Sequence, residues 1–269
     1  MQTERRAQTK DNLAMAQWLN SGELWMRQCG EPEAAGVFAL RETDPYRIVL
    51  RQDDSNIPHL ARLEQPVSPD IERFGAMYEQ VAAAGGVALS LRLHPHADLG
   101  AWRRFLGELG FQRSTVKQVA MGRTLERPPS VVEGDIEVVA VAADDATRMA
   151  QAAECNGEAF ASPPQQQRFF LNPNTVDVYL ALYQGIPAGS ANAAYTSGSV
   201  VGIYGVATRP GFRGRGVAGA LVGRILQDAS RRAETAVLDC QHELISLYQR
   251  SGFEVAREIP TFILLAARL

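Results

Sequence analysis

Between Val206 and Leu221, Arg209, Arg213 and Arg215 alternate with Gly211, Gly214 and Gly216, joining the end of an apolar strand to the start of an amphipathic helix. The first turn of a helix has amides with no partner inside the helix, and the helix dipole adds positive charge there. Glycine lets an anion come close to those amides, and guanidinium groups add fork-shaped donors. The chemistry of such a turn is capture of a pyrophosphate. Three groups in the same half can move protons: Asp239 at the end of the next strand, the phenol of Tyr248 beyond it, and Glu158 after an earlier helix.

The turn fits more than one ligand. Gly214, Gly216 and Gly219 spell G-x-G-x-x-G, and Asp239 follows at about the distance a dinucleotide fold uses for its ribose carboxylate. Against that reading, Arg209–Arg213 separates the strand from the first glycine, and the residues before it read as an antiparallel meander rather than βαβ units. A purely structural glycine turn, with the arginines in a solvated loop, is the third possibility.

Arg213-x-x-Gly216-x-Ala218, with Pro210 three residues ahead, resembles the acyl-CoA signature R/Q-x-x-G-x-G/A of the GNAT acetyltransferase superfamily. Leu247-Tyr248-Gln249-Arg250-Ser251-Gly252-Phe253 resembles that family's L-Y-x-x-x-G-F segment, in the right order and with a helix and a strand between. The resemblance spans about residues 131 to 269. It departs at Gln241, where the family often has asparagine. The resemblance implies acetyl-CoA as cosubstrate and no metal. It implies a diphosphate held at Arg213, Gly214, Arg215, Gly216, Val217 and Ala218, with Gln241 and Tyr248 also at the cofactor. Pantetheine would lie along Val206, Ala207 and Thr208, with the Val206 amide polarising the thioester carbonyl and Tyr248 as general acid. The acceptor would be an amine, on a small molecule or a peptide, attacking directly. The base stays open, because Val200–Val206 contains no carboxylate: Asp239, Glu158, a water chain, or an amine already neutral would each serve. A catalytically silent CoA-binding sensor or scaffold is the alternative.

The 269 residues, 46% hydrophobic, suffice for two cores. A net charge of −3 gives no basic field for nucleic acid. No apolar run reaches membrane-span length, and Met1–Arg6 lacks a signal-peptide core. A cytoplasmic monomer or homodimer, with no membrane or nucleic-acid partner, is expected. Cys29, Cys155 and Cys240 read as reduced, mostly buried thiols. His94 and His96 have a spacing metal sites use, but no third ligand is near.

The expected architecture is α/β, a mixed α+β fold of two GNAT-like domains. Each has a mostly antiparallel sheet, flanking helices and one parallel strand–helix–strand crossover. Domains are expected at 1–126 (degenerate) and 135–269 (catalytic), joined by a linker at 127–134 around Pro128-Pro129. Phe105–Phe111 echoes Leu247–Phe253, with Leu106 at the tyrosine position. The first half has Gln65–Asp70 in place of the Gly/Arg turn, with Ser68 as helix cap and Pro69 at the first helical position. A helix is expected over 10–29, broken near Asn20-Ser21-Gly22, and others over 98–109, Ala143–Cys155 and 164–171. The loop 156–170, with Phe160, Phe169 and Phe170, is expected to shape the acceptor pocket.

Overall fold

A computed structural model describes residues 2–31, 34, 37–52, 58–85, 88–126, 134–162, 167 and 169–265, the first six by backbone alone. The linker expected at 127–134 lies outside these residues except for Gly134, as do residues 164–166 and 168 of the expected helix at 164–171. The fold is α/β with two mixed sheets flanked by helices.

The chain forms two compact units that do not coincide with its consecutive halves. One contains Met1–Gln28 and Ala120–Ala256, the other Cys29–Val119 and Arg257–Leu269. The boundaries read from sequence, 1–126 and 135–269, therefore differ from the units at both ends of the chain. A strand's apolar pattern shows that it will be buried but not which sheet edge will pair with it.

The first unit carries helix α1 (Gln2–Gly30) and a seven-stranded sheet. Its strands are β6 (Gln118–Thr124), β7 (Ile136–Val141), β8 (Asp177–Tyr183), β9 (Ile186–Thr196), β10 (Val200–Thr208), β11 (Thr235–Gln241) and β12 (Glu254–Ile259), in the order β12-β6-β11-β10-β9-β8-β7. Strands β7 to β10 form the expected antiparallel meander, and β10 pairs with β11 in parallel. That topology sets the dinucleotide reading aside, because the described strands of this unit that lead into the glycine turn pair antiparallel, not as a βαβ series. Helices α4 (Ala146–Phe160), α5 (Val217–Ala229) and α6 (Ile245–Gln249) complete the unit. Helix α4 starts three residues later than expected, because the Asp145 carboxylate caps it by accepting from the Arg148 amide at 3.0 Å, and it runs five residues further, to a left-handed C-cap at Ala161. The apolar stripe of α5, Val217, Leu221, Val222, Ile225 and Leu226, is buried as its spacing requires.

Helix α1 is continuous through Asn20-Ser21-Gly22, where the sequence suggested a break. The polar side chains find partners that leave the helical ladder intact. Asn20 donates to the Ala194 carbonyl (3.1 Å) and to Thr196 Oγ1 (2.7 Å), and Ser21 Oγ donates back to the Trp18 carbonyl (3.1 Å).

The second unit has a six-stranded sheet in the order β1-β2-β3-β4-β13-β5. Its strands are β1 (Phe38–Thr43), β2 (Tyr46–Arg51), β3 (His59–Leu63), β4 (Ala88–Arg92), β5 (Gln112–Arg113) and β13 (Thr261–Leu265). Helix α2 (Ile71–Ala84) connects the parallel pair β3 and β4, and α3 (Leu99–Glu108) follows. Met77, Val81, Leu89, Leu91, Trp102 and Leu106 form part of its core. The cap of α2 is Asp70, not Ser68: its carboxylate accepts from the Glu72 and Arg73 amides at 3.0 Å each. A carboxylate at the positive end of a helix outcompetes a neutral hydroxyl further out.

Candidate active site

The site grows from β10. This strand pairs in parallel with β11 only over Val200–Gly202 against Thr235–Val237, although both strands run on, to Thr208 and Gln241. Beyond Gly202 they part and leave a gap in the sheet. On its other side β10 carries a bulge: register with β9 is lost between Tyr204 and Ala207. Gly205 takes φ +59°, and its carbonyl is held by Asn156 Nδ2 at 3.0 Å. Gly205 and Val206 are in register with neither neighbouring strand. By contrast, β3 and β4 of the second unit stay paired over four positions, His59–Arg62 against Leu89–Arg92.

At the end of β10 the chain enters the glycine turn. The Arg209 amide donates to the Ala188 carbonyl at 2.9 Å. Its guanidinium grips Glu158 with both arms, at 2.8 and 2.7 Å, and reaches the Pro187 carbonyl at 3.1 Å. These two residues, which the sequence offered as phosphate donor and base, are thus spent on each other. The fork fixes the root of the turn. A 3-10 turn, Pro210–Phe212, follows. Gly214 (φ +77°) and Gly216 (φ +88°) take conformations that favour glycine.

Gly216 is the N-cap of α5, and no side chain caps the helix. The first amide bonded within the helix is that of Ala220, to the Gly216 carbonyl. The amides of Val217, Ala218 and Gly219 are therefore left for an external acceptor. Helix α2 lacks this opportunity, because Asp70 already occupies its first amides. Arg215 lies over the Tyr183 ring, 5.0 Å from its centroid, and Tyr183 packs against Phe212. Arg213 is exposed at the same turn.

Across the gap stand the β11 and α6 residues. Gln241 is exposed at the end of β11. Tyr248 is 6% exposed and packs edge-on to Phe253 at 6.2 Å. Burial, followed by the charges of Cys240 and Asp239, pushes its phenol well above the usual tyrosine range. Leu106, its counterpart in the echo, is fully buried in the second unit's core. Cys240 is buried with Sγ 3.6 Å from Met121 Sδ, and burial pushes its thiol up to about 12. It is a core thiol rather than a nucleophile. Asp239 is half-buried and accepts from Gln17 Nε2 of α1 at 3.5 Å.

Sequence reading missed the part played by α1. Gln17 and Asn20 are 2% and 1% exposed, and Tyr204 of the bulged strand donates to Asn20 Oδ1 at 2.7 Å. The signal was present, since polar residues interrupt the apolar face of this helix, but it read as a break. Of the loop expected to shape a pocket, Phe169 is buried, Phe160 is 54% exposed, and Phe170 meets Trp25 edge-on at 5.9 Å. No group of three or more metal-ligating side chains occurs among the described residues, and no described helix is long and apolar enough to cross a membrane.

A bulged, splayed strand pair leading into an uncapped glycine-led helix defines an α/β domain with open amides at the mouth of a gap in its sheet. Residues 145–253 match the model of the Acetyltransferase (GNAT) family, and the chain carries a domain of that family. Similar solved structures include a GCN5-related N-acetyltransferase from Kribbella flavida (19% identity, 84% of this chain and 89% of that one, TM-score 0.64). Another is a GCN5-related N-acetyltransferase from Sphaerobacter thermophilus (17% identity, 82% and 81%, TM-score 0.62). A tandem GNAT protein from the clavulanic acid biosynthesis pathway is also similar (16% identity, 86% and 79%, TM-score 0.59). These likenesses extend the shared fold across both units. No curated protein matches the chain.

Proposed function

We propose that this protein is an N-acetyltransferase that moves an acetyl group from acetyl-CoA to a primary amine. The observation that carries the reading is the uncapped start of α5 at the mouth of the gap between β10 and β11. Open amides at 217–219, with Arg213 and Arg215 beside them, suit a diphosphate. The unpaired edges of β10 and β11 suit the amides of a pantetheine arm. Acetyl-CoA supplies an activated thioester; everything else comes from the chain. The Val206 amide, which lies in the bulge, polarises the carbonyl. The amine's nitrogen bonds to the acetyl carbon, the carbon–sulfur bond breaks, and the thiolate takes the Tyr248 proton. The ammonium proton passes to Asp239, since Glu158 is engaged by Arg209. Burial holds the Cys240 thiol protonated, which supports direct attack over an acyl-thiol intermediate.

Among its described residues, the second unit shows none of these features. Its parallel pair stays zipped, its helix carries its own carboxylate, and leucine stands for tyrosine. We assign it no cosubstrate, so one chain binds one CoA. The protein is taken as cytoplasmic, as a monomer or homodimer. A silent CoA-binding module is the second reading, favoured by the absence of a carboxylate from β10.

The test is free-thiol release from acetyl-CoA with a panel of kanamycin, L-lysine, spermidine and an alanyl peptide. Turnover of any of them supports the enzyme. CoA binding without turnover of any amine favours the silent module.

A further inference from the structure

Helix α1 presents Leu13, Gln17 and Asn20 on one face, at spacings of four and three residues. Each meets a different strand of the first unit. Leu13 lies over Gly122 of β6, where a Cβ would come within 2.7 Å of Leu13 Cδ2. Gln17 reaches Asp239 of β11 at 3.5 Å. Asn20 lies over Gly202 of β10, where a Cβ would collide with Asn20 Oδ1. Glycines at both outer crossings let the helix approach closely. Gly202 is the last residue of the parallel ladder, and Asp239 lies two residues beyond its partner Val237. The helix thus crosses the sheet where β10 and β11 begin to part.

It does so on the face opposite α5. Ser190 Oγ of β9 bonds the Ala152 carbonyl of α4 on one face, and Leu24 of α1 shares a core cluster with Ala152. A Cβ on the next residue, Gly189, would strike Val217 of α5 on the other face. A ligand entering the gap from the N-terminus of α5 therefore meets α1 at the far wall. Gln17 is almost wholly buried there, and its amide donates to a carboxylate. Such a donor holds the carboxylate's orientation.

We propose that Gln17 is a positioning residue that acts through Asp239, and that α1 is thereby the acceptor-side wall of the acyl-transfer site. The proposal rests on Asp239 as the group that receives the acceptor's proton. Around Asp239, the described titratable groups include Cys240 and Glu243 on its own segment and Tyr248 on α6. Arg123 on the adjacent β6 donates to the Ser251 carbonyl, and Gln17 is one partner that α1 gives the carboxylate.

The test uses the full chain carrying Gln17→Met, which keeps side-chain length and removes the donor. In protein labelled with carbon-13 at aspartate carboxyls, the Asp239 signal is assigned by its loss in Asp239→Asn. In Gln17→Met the Asp239 carboxyl signal at pH 7 moves from its wild-type position, as loss of a donor to the carboxylate requires. With each panel amine that the wild type turns over, kcat falls and the KM for acetyl-CoA is unchanged. Should the methionine variant not fold, Gln17→Glu keeps the shape and removes the donor, and the signal moves as well. An Asp239 signal that stays at its wild-type position in a folded variant overturns the proposal. A wild type that binds no CoA overturns the functional reading instead, and leaves the carboxyl signal readable.

Discussion

Replacing Tyr248 by phenylalanine separates chemistry from structure in one atom. Tyr248 is 6% exposed and its ring packs on Phe253. Phenylalanine keeps that contact, so stability should change by less than about 0.5 kcal/mol, the range of substitutions that disturb no packing or buried bond. The phenol is held above the usual tyrosine range by burial and by the neighbouring Cys240 and Asp239, so it carries its proton throughout the working pH range. Loss of a general acid costs about 10²–10⁴-fold in rate, or about 2.7–5.5 kcal/mol of barrier. Thiol release under saturating acetyl-CoA should fall by that factor, and the calorimetric affinity for CoA should stay within about twofold. A rate loss below about threefold, or a parallel loss of CoA affinity, would refute the assignment. Asp239→Asn should lower the phenol's titration midpoint, read by ultraviolet difference absorbance, because one of the charges that holds it up is gone.

Other outcomes follow from the same geometry. Gly202→Ala must displace the Asn20 amide and the Tyr204 ring, so thermal unfolding should show a loss of about 1–3 kcal/mol, as overpacking does. A fragment beginning at residue 135 lacks both α1 and β6, and should show no cooperative melting transition by circular dichroism. In the second unit, burial and then the cations His96, Arg62 and Arg257 lower His94 to about 4. Its folded value lies below the ordinary value of about 6.5, so the stability it contributes is present above that pH and is lost as pH falls toward 4. His94→Asn, which keeps an acceptor for the His96 amide, should flatten the fall of melting temperature over that window.

The local backbone of the candidate site was legible. The glycines at 214 and 216 take the left-handed backbone that a tight turn into a helix needs, and the apolar stripe of α5 fixes the helix behind them. Strands β7 to β10 alternate clearly enough to give the meander. What depends on distant partners was not legible. Arg209 and Glu158 each look like a free functional group until the fold brings them together, 51 residues apart in sequence. Asn20-Ser21-Gly22 looks like a helix stop until Ala194, Thr196 and Tyr204 supply its hydrogen bonds. The exchanged strands show the same limit. Nothing in the pattern of β6 or β13 says that one will stand between β11 and β12 and the other between β4 and β5. The capping of α2 was misplaced by two residues because Ser68 and Asp70 are both good caps, and only the charge favours the second.

The central claim is that the amides following Gly216 hold a diphosphate. Isothermal calorimetry of the full chain with CoA and with pantetheine, which ends before the diphosphate, tests it directly. The account predicts one CoA per chain, and pantetheine at least about 100-fold weaker, since charge-assisted bonds to the amides and arginines are worth about 1.5–3 kcal/mol each. Equal affinity for the two ligands, or no heat with CoA, would contradict it.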